Sequence, residues 1–134
     1  MSEILVDNLT GKTSAGDITV TSEGGAATQS LQQGIAKSWV NFDSTSTLAI
    51  LDSLNTSSVT DRGVGQFTQN FSSSWSAAVY VLTGGGTTSH NYLTSLDSAS
   101  IAPTTSAAAV ETLTSFGTQA DTIYGMFTYH GDLA

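Results

Sequence analysis

Ser57–Phe71 reads SSVTDRGVGQFTQNF, and its pattern decides the fold class. A hydroxyl-rich run with the β-branched residues Val59 and Thr60 enters Asp61-Arg62-Gly63-Val64-Gly65, where the glycines can take positive φ. The chain leaves that turn as a second alternating run, which is the pattern of a β-hairpin. On the outgoing run Phe67 and Phe71 stand four residues apart, so the period of two places both rings on one face. The same period recurs upstream in Trp39-Val40-Asn41-Phe42 and from Leu48 to Leu54. Downstream it recurs from Ala77 to Thr83, His90 to Leu96, Val110 to Phe116 and Thr122 to His130. In the last of these, Ile123, Gly125, Phe127 and Tyr129 face one way, while Tyr124, Met126 and Thr128 face the other. Gly84-Gly85-Gly86 is expected to be a flexible loop, and Ala99 to Ala107, around Pro103, a connection. Short strands at this spacing predict a mostly β chain. The expected architecture is an antiparallel β-sandwich, jelly-roll-like, forming a knob over 39–134.

Composition agrees with that class. Serine and threonine make up nearly a third of the 134 residues, while only 10% are charged. Threonine's branched Cβ suits a pleated sheet, serine suits turns, and the strong helix formers are scarce. Lys12, Lys37 and Arg62 face 11 acidic residues, for a net charge of -8, so a nucleic acid would be repelled. With no cysteine there is neither disulfide nor thiolate metal site. No stretch reaches the ~20 apolar residues of a membrane span, and Met1-Ser2-Glu3-Ile4 lacks the basic start and apolar run of a signal peptide. No membrane insertion and no export are expected.

Residues 1–25 read as an extended N-terminal arm for attachment: Ile4-Leu5-Val6, then Gly11, then Ile18-Thr19-Val20, then Glu23-Gly24-Gly25. Such an arm hardly buries a core, so it is expected to dock on a neighbour. Residues 26–38 predict the one short helix, because Ala27, Leu31, Ile35 and Trp39 recur at four-residue steps. Gly34 beside that stripe costs about 1 kcal/mol in a helix interior and would let another backbone come close. The stripe either covers the chain's own β-core or meets copies of itself, and the second reading makes Ala27, Leu31, Gly34, Ile35 and Trp39 a subunit interface.

Motifs for chemistry are missing from the sequence. Gly-x-Ser-x-Gly, His-Glu-x-x-His, the calcium loop of EF-hand type and the phosphate loop do not occur. Gly63-Val64-Gly65 lacks the third glycine of a dinucleotide fingerprint. His90 and His130 are isolated, and Asp43, Asp52, Asp61 and Asp97 are scattered. No catalytic residue, metal ligand or cofactor is expected, and the chain is read as a non-enzyme. What remains for recognition is weak and mainly aromatic: Trp75, in the polar run Ser72-Ser73-Ser74-Trp75-Ser76, with His90 and Tyr92 as receptor contacts, core packing or a subunit contact being the ordinary role of Trp75 and Tyr92. Tyr124 and Tyr129 qualify by residue type, with core packing as the ordinary alternative.

Two stretches carry a resemblance. Thr13–Phe42 is TSAGDITVTSEGGAATQSLQQGIAKSWVNF and Asp52–Phe71 is DSLNTSSVTDRGVGQFTQNF. They resemble modules recurrent in fibres and other surface proteins of tailed-bacteriophage virions, above all phages of aquatic bacteria. The features are Glu23-Gly24-Gly25-Ala26 before Leu31-Gln32-Gln33-Gly34-x-Ala36-Lys37-x-Trp39, then Asp52-Ser53-x-Asn55 leading to Thr60-Asp61-x-Gly63-x-Gly65. The match fades after Phe71. The resemblance implies a virion structural protein made in the bacterial host cytoplasm, a homotrimeric fibre or spike subunit with its helix near the threefold axis. It also implies contact with other phage structural proteins through the arm, host attachment through a surface glycan, and no catalytic residues. The short arm leaves a capsid decoration (cement) protein as the alternative, and a monomeric carbohydrate-binding module as a second.

Overall fold

The computed structural model describes residues 4–14, 18–87, 91–97 and 100–134, with 91–93 described by backbone alone. The chain divides into two compact units, Met1–Ile35 and Ala36–Ala134. It is mostly β, with antiparallel strands packed as a sandwich and one short helix.

The second unit holds β3 (Ser38–Asp43), β4 (Ala49–Leu54), β5 (Thr56–Gly63), β6 (Gln66–Phe71), β7 (Val81–Thr87), β8 (Asn91–Leu96), β9 (Ala107–Thr114) and β10 (Tyr124–His130). Their alternation is visible residue by residue. In β3, Ser38, Val40 and Phe42 are buried while Trp39, Asn41 and Asp43 are half-buried. In β6, Phe67, Gln69 and Phe71 point inward, and in β10 Gly125, Phe127 and Tyr129 do. The strands form one eight-stranded antiparallel sheet in the order β4-β3-β10-β7-β8-β9-β6-β5.

That sheet is folded over on itself. Phe42 and Phe67 lie five strands apart in the order. On a flat sheet that separation would be about 24 Å at ~4.8 Å per strand. Their ring centroids are 4.8 Å apart, edge to face. The half β4-β3-β10-β7 therefore faces the half β8-β9-β6-β5 across an aromatic core. Phe127 joins the Phe42–Phe67 pair at 5.5 Å from Phe42. Beside it, Phe71, Trp75, Tyr80 and Tyr129 form a second ring cluster with centroids 5.0–6.3 Å apart. Each such ring stabilises by about 1.5–3 kcal/mol through burial, and each well-placed pair adds about 0.5–1.5 kcal/mol.

Gly84, Gly85 and Gly86, expected as a loop, are the centre of β7, hydrogen-bonded between β10 and β8. Their role is room. A Cβ on Gly84 would strike the Met126 carbonyl and the Phe127 ring, and one on Gly125, opposite Gly86, would stand 2.5 Å from Phe42 Cζ. Large inward rings on β3 and β10 thus require side-chain-free positions beside them, and glycine in a strand marks this kind of close approach. The hairpin expected at 57–71 is present, with Phe67 and Phe71 on one inward face, but Asp61 to Gly63 belong to β5 and only Val64 and Gly65 turn. Gly65 has φ +67°, and a Cβ there would stand 2.5 Å from the Ala120 amide nitrogen.

The edge strands β4 and β5 are consecutive in sequence, joined by Asn55 at φ 51°. Its short amide tolerates the left-handed region and clamps Ser73 from both sides. Oδ1 accepts from the Ser73 amide at 2.6 Å, and Nδ2 donates to the Ser73 carbonyl at 3.2 Å.

The first unit is a hairpin followed by one helical turn. β1 (Thr19–Thr21) pairs antiparallel with β2 (Thr28–Ser30), and the Ser22–Ala27 turn contains Gly25 at φ +70°. The helix expected over 26–38 is only α1, Leu31–Gly34. Thr28, Gln29 and Ser30 are taken by the ladder with β1, Ser30 caps α1 by accepting from the Gln33 amide, and Ile35 is already extended. A helix so short repays little of its nucleation cost, and Gly34 weakens it further, so strand pairing prevails on both sides. Trp39 consequently belongs to β3, opposite Leu54 and Thr128, and the four-step stripe does not form a helix face.

Candidate functional site

The first unit is built around apolar side chains with little to cover them. Leu9, Ile18, Leu31 and Ile35, with Gln32, line an open hollow of about 320 Å³. Val20 and Gly34 share with Leu31 and Ile35 a second hollow of about 240 Å³. Of the expected interface residues, Leu31, Gly34 and Ile35 come together here, Ala27 sits by Val20 and Thr28, and Trp39 lies in the other unit. Beside Gly34 stands the Gln29 amide, whose Nε2 is 2.7 Å from where a Cβ would stand. Ile4, Leu5, Val6 and Leu9 are exposed, from 56 to 83%. Ile18 belongs to the Ile18-Thr19-Val20 run read as part of the arm, whereas Leu9 carries no signal in the sequence, because its contribution depends on the hairpin that Gly24-Gly25 makes.

The expected receptor contacts fare differently. Trp75 is 1% exposed and packs on Phe71, Tyr80 and Tyr129, so it offers no face to a ligand. Core packing, the ordinary role for this ring, is what it has, because backbone pairing draws the serine-rich segment inward: Trp75 bridges to Leu133, its amide donates to Thr105 O, and Ala134 N donates to Ser74 O. His90 and the Tyr92 side chain lie outside the described residues. Tyr129 is buried, whereas Tyr124 is 46% exposed.

The two outer faces of the sandwich contrast. On β6 and β5, Asn70 Nδ2 donates to Ser58 Oγ at 2.9 Å and to Thr60 Oγ1 at 3.2 Å. On β8 and β9, Ser95 Oγ donates to Glu111 Oε1 at 2.7 Å, while Gln119 Nε2 donates to Glu111 Oε2 at 3.3 Å. These described polar side chains satisfy one another. The face of β4-β3-β10-β7 runs in cross-strand rows Leu54-Trp39-Thr128-Thr83 and Asp52-Asn41-Met126-Gly85, with Tyr124 opposite Thr87 beyond them. Leu54, Tyr124 and Met126 are 44–48% exposed, a Cβ on Gly85 would meet open space, and Asn41 Oδ1 is buried without a hydrogen-bond partner.

Charged groups serve the scaffold. Arg62 Nη2 donates to Asp97 Oδ2 at 2.7 Å and to Phe67 O at 3.3 Å, tying β5 to the end of β8. The Arg62 hydrogen bond holds the Asp97 carboxyl below its ordinary range, against its own burial. Burial lowers the Lys37 ammonium, with the Asp132 carboxylate opposing. Burial also pushes the Tyr80 phenol up to about 12, so it stays neutral and donates to Ala107 O at 3.0 Å and Thr104 O at 3.3 Å. Tyr129 is raised by burial first and by Tyr80 second. Among the described residues no group of three His, Cys, Asp or Glu side chains is placed to hold a metal, and no helix is long and apolar enough to cross a membrane.

Comparison with known proteins finds no matching family model, no matching curated protein and no matching solved structure.

Proposed function

We propose that this chain is a structural subunit of a tailed-bacteriophage virion, a homotrimeric fibre or spike exposed on the particle, which binds and does not catalyse. The resemblance of Thr13–Phe42 and Asp52–Phe71 to such modules supports the reading. The observation that carries it is the first unit, which pairs two three-residue strands yet leaves Ile4, Leu5, Val6, Leu9, Val20 and Ile35 exposed. A two-stranded hairpin is marginal in water by itself. Apolar surface of this kind is covered when an arm gains pairing and burial on a partner. Leu31, Gly34 and Ile35 are then the residues that meet neighbouring copies, and the segment from Ile4 to Leu9 meets other virion proteins.

Sedimentation of the purified chain at micromolar concentration tests this. A threefold mass is expected, and a stable monomer would refute it. Capsid cement uses the same arm physics, and imaging of intact virions separates the two, by density at the tail or at capsid threefold positions. The aromatic outer face of β4-β3-β10-β7 favours a third reading, a monomeric carbohydrate-binding module, for which the monomer is the expected result.

A further inference from the structure

We infer that the outer face of β4-β3-β10-β7 is a binding site for a neutral polysaccharide, laid across Trp39 and Tyr124. The inference rests on the surface-subunit reading above and names the face and the ligand class that subunit would use.

Register places the parts. Trp39 is opposite Thr128, and Tyr124 lies four residues before Thr128 on β10. At ~3.4 Å per residue the two aromatic residues are about 14 Å apart, the length of a few linked pyranose rings. A pyranose presents apolar C–H faces and a rim of hydroxyls. Aromatic side chains cover the first, and between them Asn41, Asp52, Thr83 and Thr128 meet the second. Gly85 leaves the middle of the face open, since nothing lies within 4 Å of where its Cβ would stand.

Size and charge choose the occupant. Four strands at ~4.8 Å and about 20 Å of β10 give roughly 400 Å², half the ~800 Å² per partner that a stable protein interface takes. A second copy of the chain is therefore the poorer fit, and a glycan segment the better. In the two full rows the one charged side chain is Asp52, on a chain of net charge -8, so an acidic polysaccharide would be repelled. On the opposite outer face, among the described residues, Asn70, Ser95, Gln119 and Glu111 already bond to neighbouring side chains.

The test titrates the full chain with hexasaccharides of glucose, mannose and N-acetylglucosamine while tryptophan emission is followed. There are two tryptophans, and with Trp75 at 1% exposure a ligand-dependent change reports Trp39. At least one neutral hexasaccharide is expected to shift the emission. For that sugar, calorimetry should show affinity at least tenfold weaker in Trp39→Ala, Tyr124→Ala and Gly85→Leu, the last of which fills the open space without removing a ring. Asn70→Ala on the opposite face should bind as the parent does. No response from any neutral sugar, a response to an acidic polysaccharide alone, or unchanged affinity in all three variants overturns the inference. So does a change in sedimenting mass caused by Trp39→Ala or Tyr124→Ala, which would make the face a subunit contact. A trimer that binds no sugar sinks this site and leaves the surface-subunit reading standing, and a monomer that binds sugar through Trp39 does the reverse.

Discussion

Met1–Ile35 and Ala36–Ala134 are alike in residue type and opposite in what they bury. The larger unit holds Val40, Phe42, Phe67, Phe127 and Tyr129 at 0–1% exposure, whereas the smaller leaves Ile4 and Leu5 above 80%. Hydrophobicity does not account for the difference. In the larger unit an inward residue on one strand meets rings from the opposing layer, because the sheet folds back on itself. In the smaller, the described strands are one hairpin of two three-residue strands, a single layer. The lesson is that apolar residues make a core only where topology supplies the other wall.

The sharpest way to break that comparison is Leu31→Asp or Ile35→Asp. Burying an unpaired carboxylate in an apolar seam costs several kcal/mol, so the proposed trimer is expected to be lost by sedimentation while the thermal transition of the larger unit stays where it was. An unchanged oligomer would place the hollow outside the interface. The converse change is Gly65→Ala, which combines a left-handed backbone with a clash against the Ala120 amide and the Thr112 carbonyl. A loss of about 2–5 kcal/mol is expected in denaturant unfolding of the larger unit. Removing residues 1–35 should leave that unit folded with its near-ultraviolet aromatic spectrum intact. If it comes out aggregated instead, the two units share a core after all.

Smaller effects sharpen the picture of the larger unit. Tyr80→Phe removes the donor to Ala107 O and Thr104 O and should cost about 1 kcal/mol. Because the folded phenol is raised to about 12, the unfolded chain releases its proton first, and stability should fall as pH rises from ~10 towards that value. Asp97 has the opposite sense. Its folded value is depressed, so its contribution is present above the ordinary carboxylate range near ~4 and fades as pH falls through the folded value. Acid unfolding of Asp97→Asn should lack that component.

What the sequence made legible was periodicity. The buried face of β10 can be read from Gly125, Phe127 and Tyr129, and that of β6 from Phe67 and Phe71. It was less informative where two local preferences compete. Ala27, Leu31, Ile35 and Trp39 satisfy a helical step, yet Thr28–Ser30 and Ser38–Asp43 gain more as strands, and only long-range partners decide that. Glycine misled in the same way, since Gly84-Gly85-Gly86 reads as a loop until the Phe127 and Phe42 rings beside it are known. The site was half visible: Tyr124, Met126 and Thr128 could be assigned to one face of their strand, but their alignment with Trp39 is a matter of register.

One consequence of the strand order concerns time. β10 is inserted between β3 and β7, and its Gly125–Tyr129 segment pairs with Ser38–Phe42, far earlier in the chain. On a ribosome, β3 and β4 emerge long before the strand that completes their layer, and their inward rings have to wait for it. Refolding from denaturant should accordingly be limited by this one distant docking step, on the order of milliseconds to seconds as for other sheets of non-local pairing. Crowded nascent chains are at greatest risk of pairing with each other in that interval.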